Sequence, residues 1–239
     1  LRSNLIIAGS NFIFSHINNN YSKYLNVKKR FLVIFRGINI DYFDPSTTLE
    51  SEEDALRLDW GLKSEKKIIL LPGRLTAWKG QELFIEALSL VNKELGYQSF
   101  NAVILGSDQG RDIYTKKIKR LAEQHRLTGQ LIFIENCKNM PLAYKISDLV
   151  VSASIEPEAF GRVAVEAQSM EKPIIASDIG GSNETVLDNK TGFLFKSGNP
   201  ESLSKKIVEV LNLDESTLKS MGIEGRKNVI KKFNVEKMC

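Results

Sequence analysis

Ile68-Ile69-Leu70-Leu71-Pro72-Gly73-Arg74-Leu75-Thr76-Ala77-Trp78-Lys79-Gly80 is the stretch that decides the fold. It opens with four apolar residues in a row, too few for a helix and without the alternation of a half-exposed strand. A strand apolar on both faces is buried on both, as in a parallel sheet covered by helices. Pro72-Gly73 ends the run. Beyond Gly80, Leu83, Phe84, Ala87, Leu88 and Val91 recur at three- and four-residue spacing, which predicts an amphipathic helix over 82–94. The same rhythm repeats down the chain. Further short apolar strands are expected at 102–105, 131–134, 149–152, 174–176 and 192–195. Helices are expected at 112–124, 141–146 and 163–170, then at 200–211 and 215–232. Pro200 after Asn199 is a helix start of the N-cap-then-proline kind. Strands alternating with helices make βαβ units, and right-handed crossovers then give a doubly wound, Rossmann-like α/β sandwich.

Upstream the pattern is looser. Leu5-Ile6-Ile7-Ala8 reads as a strand ended by Gly9-Ser10, with a helix following through Tyr24. Residues 31–35 read as a second strand running into the turn Arg36-Gly37-Ile38-Asn39. Residues 46–65 are polar and acidic, with a short amphipathic stretch ending at Trp60-Gly61. The chain therefore divides into 1–45, the end of a preceding domain and its connection, 46–65, a linker with a short helix, and 66–239, the doubly wound domain. Its 239 residues amount to ~1.6 domains at about 150 residues each.

Composition narrows the function class. A chain 42% hydrophobic and 26% charged forms a core rather than a disordered ensemble. The longest apolar runs are too short to span a bilayer. The net charge of +4 spreads over 33 basic and 29 acidic residues, a mixed solvated surface, and no aromatic-basic or zinc-finger pattern points to nucleic acid. Cys137 and Cys239 lie in no metal-binding or redox spacing. No metal site is expected.

In an open parallel sheet, ligands bind beyond the carboxyl ends of the strands, so the segments after each strand carry the chemistry. After 68–71, Gly73 lets backbone approach closely, and Arg74 and Lys79 offer two cations near a helix start. Arg grips phosphate through a planar fork and Lys as a point charge, and the alternative is two solvated loop cations. The order of Gly, Lys and Ser is not that of a Walker loop. After 149–152, Glu158 and Glu166 stand eight apart, one in the loop and one a turn into the next helix. Carboxylates accept from paired vicinal hydroxyls, as in sugars and ribose. Glu166 sits in the apolar stretch 163–167, where an unpartnered carboxylate is costly. The amides of Phe160 and Gly161 at that helix start suit a phosphate or sugar oxygen. After 174–176, Gly180-Gly181 ahead of a helix is a candidate anion nest or a plain turn. Gly106-Ser107-Asp108-Gln109-Gly110 lacks the spacing of a dinucleotide fingerprint, so no NAD site is assigned.

Taken together, Gly73-Arg74 with Lys79-Gly80, Glu158-x7-Glu166 and Gly180-Gly181-x-x-Glu184 resemble the nucleotide-sugar domain of retaining GT-B glycosyltransferases of the group 1, or family 4, class. Arg36-Gly37-Ile38-Asn39 with Phe43 and Pro45 is similar to that family's interdomain "NGVDxxxFxP" stretch, with Arg36 and Asn39 as departures that belong to the linker. Residues 232–238 resemble its "FSWEKM" segment.

The resemblance covers nearly the whole chain and implies the C-terminal half of a GT-B fold. It implies that Arg74, Lys79 and Glu158 are the catalytic residues, the two cations on the donor diphosphate and Glu158 on the donor sugar, and that Glu166 holds the ribose. Gly73, Phe160, Gly161, Arg162 and Val163 complete the donor-binding set. The resemblance also implies that the base lies near residues 135–137, against Asn136 and Cys137, although Glu135 stands where the family often has Gly.

The activity so implied is transfer of a hexose, with retention and without a metal, from a UDP- or GDP-linked sugar to an unknown acceptor. No separate cofactor is needed. The resemblance places the acceptor site in an N-terminal domain, which is expected to lie outside this chain. Envelope polysaccharide or lipopolysaccharide synthesis, a cytoplasmic location and peripheral contact with the inner membrane through the full-length protein complete the expectation. A non-hydrolysing sugar-nucleotide epimerase and a non-catalytic nucleotide-sugar-binding subunit stand as alternatives, and a dehydrogenase is disfavoured by the loop spacings.

Overall fold

The computed structural model describes residues 5–21, 30–62, 65–97, 99–110 and 112–239. Six strands form one fully parallel sheet: β3 (Lys67–Pro72), β4 (Phe100–Leu105), β5 (Leu131–Ile134), β6 (Leu149–Ser152), β7 (Ile174–Ser177) and β8 (Phe193–Phe195). Their spatial order is β5-β4-β3-β6-β7-β8. The chain winds outward from β3 in one direction, crosses back to β6, then winds outward in the other. β3 and β6 are hydrogen-bonded neighbours, with Ile69 opposite Leu149 and Leu70 opposite Val150. Their carboxyl ends are the topological switch point, where loops leaving in opposite directions open a crevice.

Alternate residues of each strand feed two cores. Ile69, Leu71, Ala102, Ile104 and Val151 face helices α3 (Gln81–Leu95), α4 (Asp112–Gln124) and α8 (Pro200–Leu211). Ile68, Leu70, Val103, Leu105 and Val150 face the other way, toward α5 (Met140–Ile146), α6 (Arg162–Ser169) and α9 (Glu215–Lys232). This two-sided burial is why the strands read as unbroken apolar runs.

The element boundaries follow the expected ones closely. Leu131–Ile134, Leu149–Ser152 and three helices fall where the pattern put them. β4 starts two residues early because Asn101, a polar residue inside a parallel strand, is buried. α6 starts at Arg162 because Gly161, at φ 84°, is its left-handed N-cap.

The upstream part forms a separate two-stranded parallel sheet, β1 (Leu5–Ala8) with β2 (Arg30–Val33), and helix α1 (Asn11–Tyr21). The expected helix continuation to Tyr24 lies outside the described residues. The expected strand 31–35 is shorter, ending at Val33, and Phe35 turns its ring edge-on to Phe233. Residues 38–62 pack onto the main domain. Ile38, Phe43, Trp60 and Leu62 join the core beneath the sheet, and α2 (Glu50–Asp59) forms the short helix expected there. Arg226 of α9 fixes this connection by an ion pair to Asp44 at 2.5 Å and a hydrogen bond to the Phe43 carbonyl at 2.9 Å. Short helices α7 (Ser182–Thr185) and α10 (Val235–Met238) complete the described elements.

Candidate functional site

A cavity of about 410 Å³ opens at the switch point. Its wall is built by the loops after β3 and β6 and by the start of α6. Gly73, Arg74 and Lys79 come from the first loop, and Glu158, Phe160 and Gly161 from the second. Arg162, Val163 and Glu166 come from α6. Nine expected site residues, separated by up to 93 positions (73 to 166), therefore share one cavity wall.

Gly80 explains how the first loop reaches the second. It adopts φ 74° and caps both the short 3-10 turn Ala77–Lys79 and helix α3. Any Cβ there would run into the Ala153 carbonyl at the end of β6. This close approach sets Lys79 beside Glu158: Nζ to Oε1 is 2.7 Å, and the two side chains keep only 14% and 12% of their exposure. The Ser154 hydroxyl donates to the same Oε1. The ammonium also lies 4.4 Å above the Trp78 ring centroid, an attractive cation–π geometry.

Glu166 is buried, and its two oxygens are divided between two partners. Tyr144, fully buried on α5, donates its hydroxyl to Oε2 at 2.8 Å. Arg162, one turn earlier on α6, donates to Oε1 at 2.8 Å. Burial, then the Glu166 charge, pushes the Tyr144 phenol well above its ordinary value, so it stays a donor. Each carboxylate oxygen has two lone-pair directions, so Glu166 retains acceptor capacity for vicinal hydroxyls.

Two expectations change, and one open alternative closes. Asn136 and Cys137 do not reach the cavity wall; Met140, at the start of α5, is there instead, and the Cys137 thiol turns to the Asn139 carbonyl at 3.2 Å. Burial of that thiol pushes its pKa up. Gly180-Gly181 does not form an open anion nest. A Cβ on Gly181 would stand 2.6 Å from Phe160 Cα, and the Gly181 amide donates to the Glu158 carbonyl at 2.8 Å. These glycines let the β7 loop back the Glu158–Phe160 segment. Finally, Arg36 is a wall residue of the cavity, not merely a linker position.

Tyr144, Ser154 and Arg36 are thus the site residues that motif spacing missed. Glu184 also has an unforeseen place. Its Oε2 accepts from the Asn11 amide at 2.8 Å and its Oε1 from the Phe12 amide at 2.6 Å, capping α1 from the far end of the chain. Ser10 meanwhile donates to the Ala159 carbonyl at 2.6 Å, beside Glu158.

A doubly wound sheet whose switch-point crevice pairs these cations and carboxylates has the architecture of the GT-B glycosyltransferases. The family model for glycosyl transferases group 1 matches residues 52–228, and the chain belongs to that family. It is similar to the crystal structure of a glycosyltransferase from Rickettsia africae, with 35% identity and a TM-score of 0.91 over 97% of this chain and 60% of that one. It is also similar to Anabaena Alr3699/HepE, solved in complex with UDP and glucose, with 25% identity and a TM-score of 0.86 over 99% of this chain and 61% of the other. Among curated relatives, the uncharacterized glycosyltransferase MJ1178 of Methanocaldococcus jannaschii is 31% identical over 98% of this chain and 57% of its own length. The chain spans about half the length of the curated relatives it matches. Among the described residues, no helix is long and apolar enough to cross a membrane.

Proposed function

We propose that this chain binds a nucleoside-diphosphate sugar at the switch-point cavity, and that the protein to which the chain belongs transfers the sugar, with retention, to an acceptor. The observation that carries this reading is the convergence of Arg74, Lys79, Glu158 and Glu166 on one wall. The similarity to Anabaena Alr3699/HepE, crystallised with UDP and glucose, supports UDP as the nucleotide. The acceptor side would lie in the part of the relatives' length that this chain does not span.

In this reading Glu166, held by Tyr144 and Arg162, accepts the ribose hydroxyls. Arg74 takes the diphosphate through its guanidinium fork. Lys79 and Glu158 act as a pair. Without donor they neutralise each other at 2.7 Å. With donor, the Glu158 carboxylate accepts from a sugar hydroxyl and the Lys79 ammonium turns to the β-phosphate. Cleavage of the bond between the anomeric carbon and the β-phosphate oxygen leaves negative charge on that phosphate. Lys79 and Arg74 stabilise it where it develops, which lowers the barrier more than contacts already present in the ground state.

Calorimetry of this chain with UDP-glucose, GDP-mannose and ADP-glucose tests the binding step. Saturable binding to one nucleotide series is expected, and Glu166→Ala should weaken it. A folded chain that binds none of the three would overturn the reading.

A further inference from the structure

The charges on the cavity wall do not balance. Four cations line it, Arg36, Arg74, Lys79 and Arg162, against two carboxylates, Glu158 and Glu166, an excess of two positive charges. Both carboxylates are already committed, Glu158 to Lys79 and Glu166 to Arg162. The guanidinium groups of Arg36 and Arg74 have no ion-pair partner among the described residues. Two unpaired guanidinium groups in one crevice match the two negative charges of a nucleoside-diphosphate sugar, one on each phosphate.

Arg36 is also held in place. Just before it, Ile34 donates its amide to the Ala8 carbonyl at 2.9 Å. The Phe35 ring stands edge-on to Phe233 at 5.5 Å, and Phe233 edge-on to Phe160 at 5.5 Å, so the segment leans on the loop that carries Glu158. Just after it, Ile38 donates to the Phe233 carbonyl at 2.8 Å and accepts from the Val235 amide at 3.1 Å. The Arg36 stem passes Gly9 at ordinary contact distance, 3.6 Å from where a Cβ would stand. A backbone fixed on both sides with an uncommitted cation at the tip is a preorganised anion contact, less costly to order on binding than a free loop arginine.

We propose that Arg36 is a further diphosphate-binding residue, delivered to the same crevice as Arg74 and Lys79 by the connecting segment. It selects nucleoside diphosphates over monophosphates. This rests on the donor reading above and adds to it a residue outside the recurring motif set.

Titration calorimetry of this chain with UDP, UMP and uridine decides the matter, comparing the unaltered chain with Arg36→Ala and Arg36→Lys. An exposed side chain with no ion-pair partner among the described residues leaves folding intact on substitution, and equal thermal midpoints check this. Arg36→Ala should weaken UDP by about tenfold or more, the scale of a charge-assisted hydrogen bond, while UMP and uridine change by less than about threefold on the same scale. Arg36→Lys should recover part of the UDP loss, since a point charge remains. Equal losses for UDP, UMP and uridine would make Arg36 a structural or nucleoside contact and overturn the proposal. So would an Arg36→Ala chain that binds UDP as the unaltered chain does, although the donor reading would then stand. An unaltered chain that binds none of the three would remove the donor reading itself.

Discussion

Removing Lys79 should damage the fold and the chemistry separately, and the two effects can be pulled apart. In Lys79→Ala, Glu158 keeps its place against the β7 loop but loses the ammonium 2.7 Å from Oε1. With a side chain only 12% exposed, the orphaned carboxylate cannot recover full hydration. Breaking a buried pair from one side costs about 3–5 kcal/mol. The lower end applies here, because Ser154 still donates to the same oxygen and the pair is not wholly dry. At roughly 2–4 °C per kcal/mol for a chain of this size, the thermal midpoint should fall by about 6–12 °C. Adding Glu158→Gln removes the stranded charge while keeping an acceptor for Ser154. The double variant should therefore recover about 2 kcal/mol of that loss, a coupling typical of residues in direct contact. In the proposed function, nucleotide-sugar turnover by the protein to which the chain belongs should recover none. Differential scanning fluorimetry over the four-member cycle reads the coupling. A Lys79→Ala midpoint within about 1 °C (roughly the noise of additive sites), or additive losses in the double variant, would refute the idea that the two groups are a desolvated pair.

Three other perturbations have definite outcomes. Tyr144→Phe strips one donor from the buried Glu166 carboxylate and should cost about 1.5–3 kcal/mol of stability, with weaker binding of uridine as well as UDP; an unchanged uridine affinity would sever Tyr144 from the site. Burial, helped by the charges of Lys145 and Arg57 and opposed by those of Asp148 and Glu53, lowers the Lys172 ammonium from 10.5 to about 8. Between about pH 8 and 10.5 the unfolded chain then binds a proton that the folded one lacks, so stability rises with pH in that window. Lys172→Met should gain up to ~3 kcal/mol at pH 7, with the gain shrinking from pH 8 to 10.5 in urea unfolding; a gain independent of pH would show that burial of the charge is not the cause. Glu184→Ala uncaps α1 and should lower amide-exchange protection over residues 11–21 by about 1–2 kcal/mol without touching β3 or β6; equal protection in the variant and the unaltered chain would discount the cap.

The sheet could be read in advance because its signal is local. The central strands β3, β4, β6 and β7 are buried on both faces, and β3 is closed by Pro72-Gly73, so a run such as 68–71 carries its own evidence. The cavity wall was legible for a related reason: a strand read from its apolar run fixes where its following loop begins, and the doubly wound order brings the first and fourth of those loops together. What stayed hidden depends on partners distant in sequence. Tyr144 looks like one more apolar residue of α5 until Glu166, 22 positions on, is found at its hydroxyl. Glu184 belongs to a recurring motif, yet its partners lie 172 and 173 positions upstream.

Arg36 shows the same limit from the other side. As a motif position it is a departure from a linker pattern, and spacing assigns it no role. The assignment comes from charge balance inside a folded crevice, where two carboxylates already hold two cations and two guanidinium groups are left over. That balance also gives the site a direction. Lys79 is already paired with Glu158, so in the proposed function the first attraction a diphosphate would meet is Arg74 and Arg36. Only a donor whose sugar engages Glu158 would release Lys79 toward the leaving phosphate. Nucleotide capture and charge stabilisation at the departing phosphate would then fall to different residues of one pocket. Arg36→Ala should weaken capture of UDP itself, whereas Glu158→Ala should lower turnover more than it lowers UDP affinity.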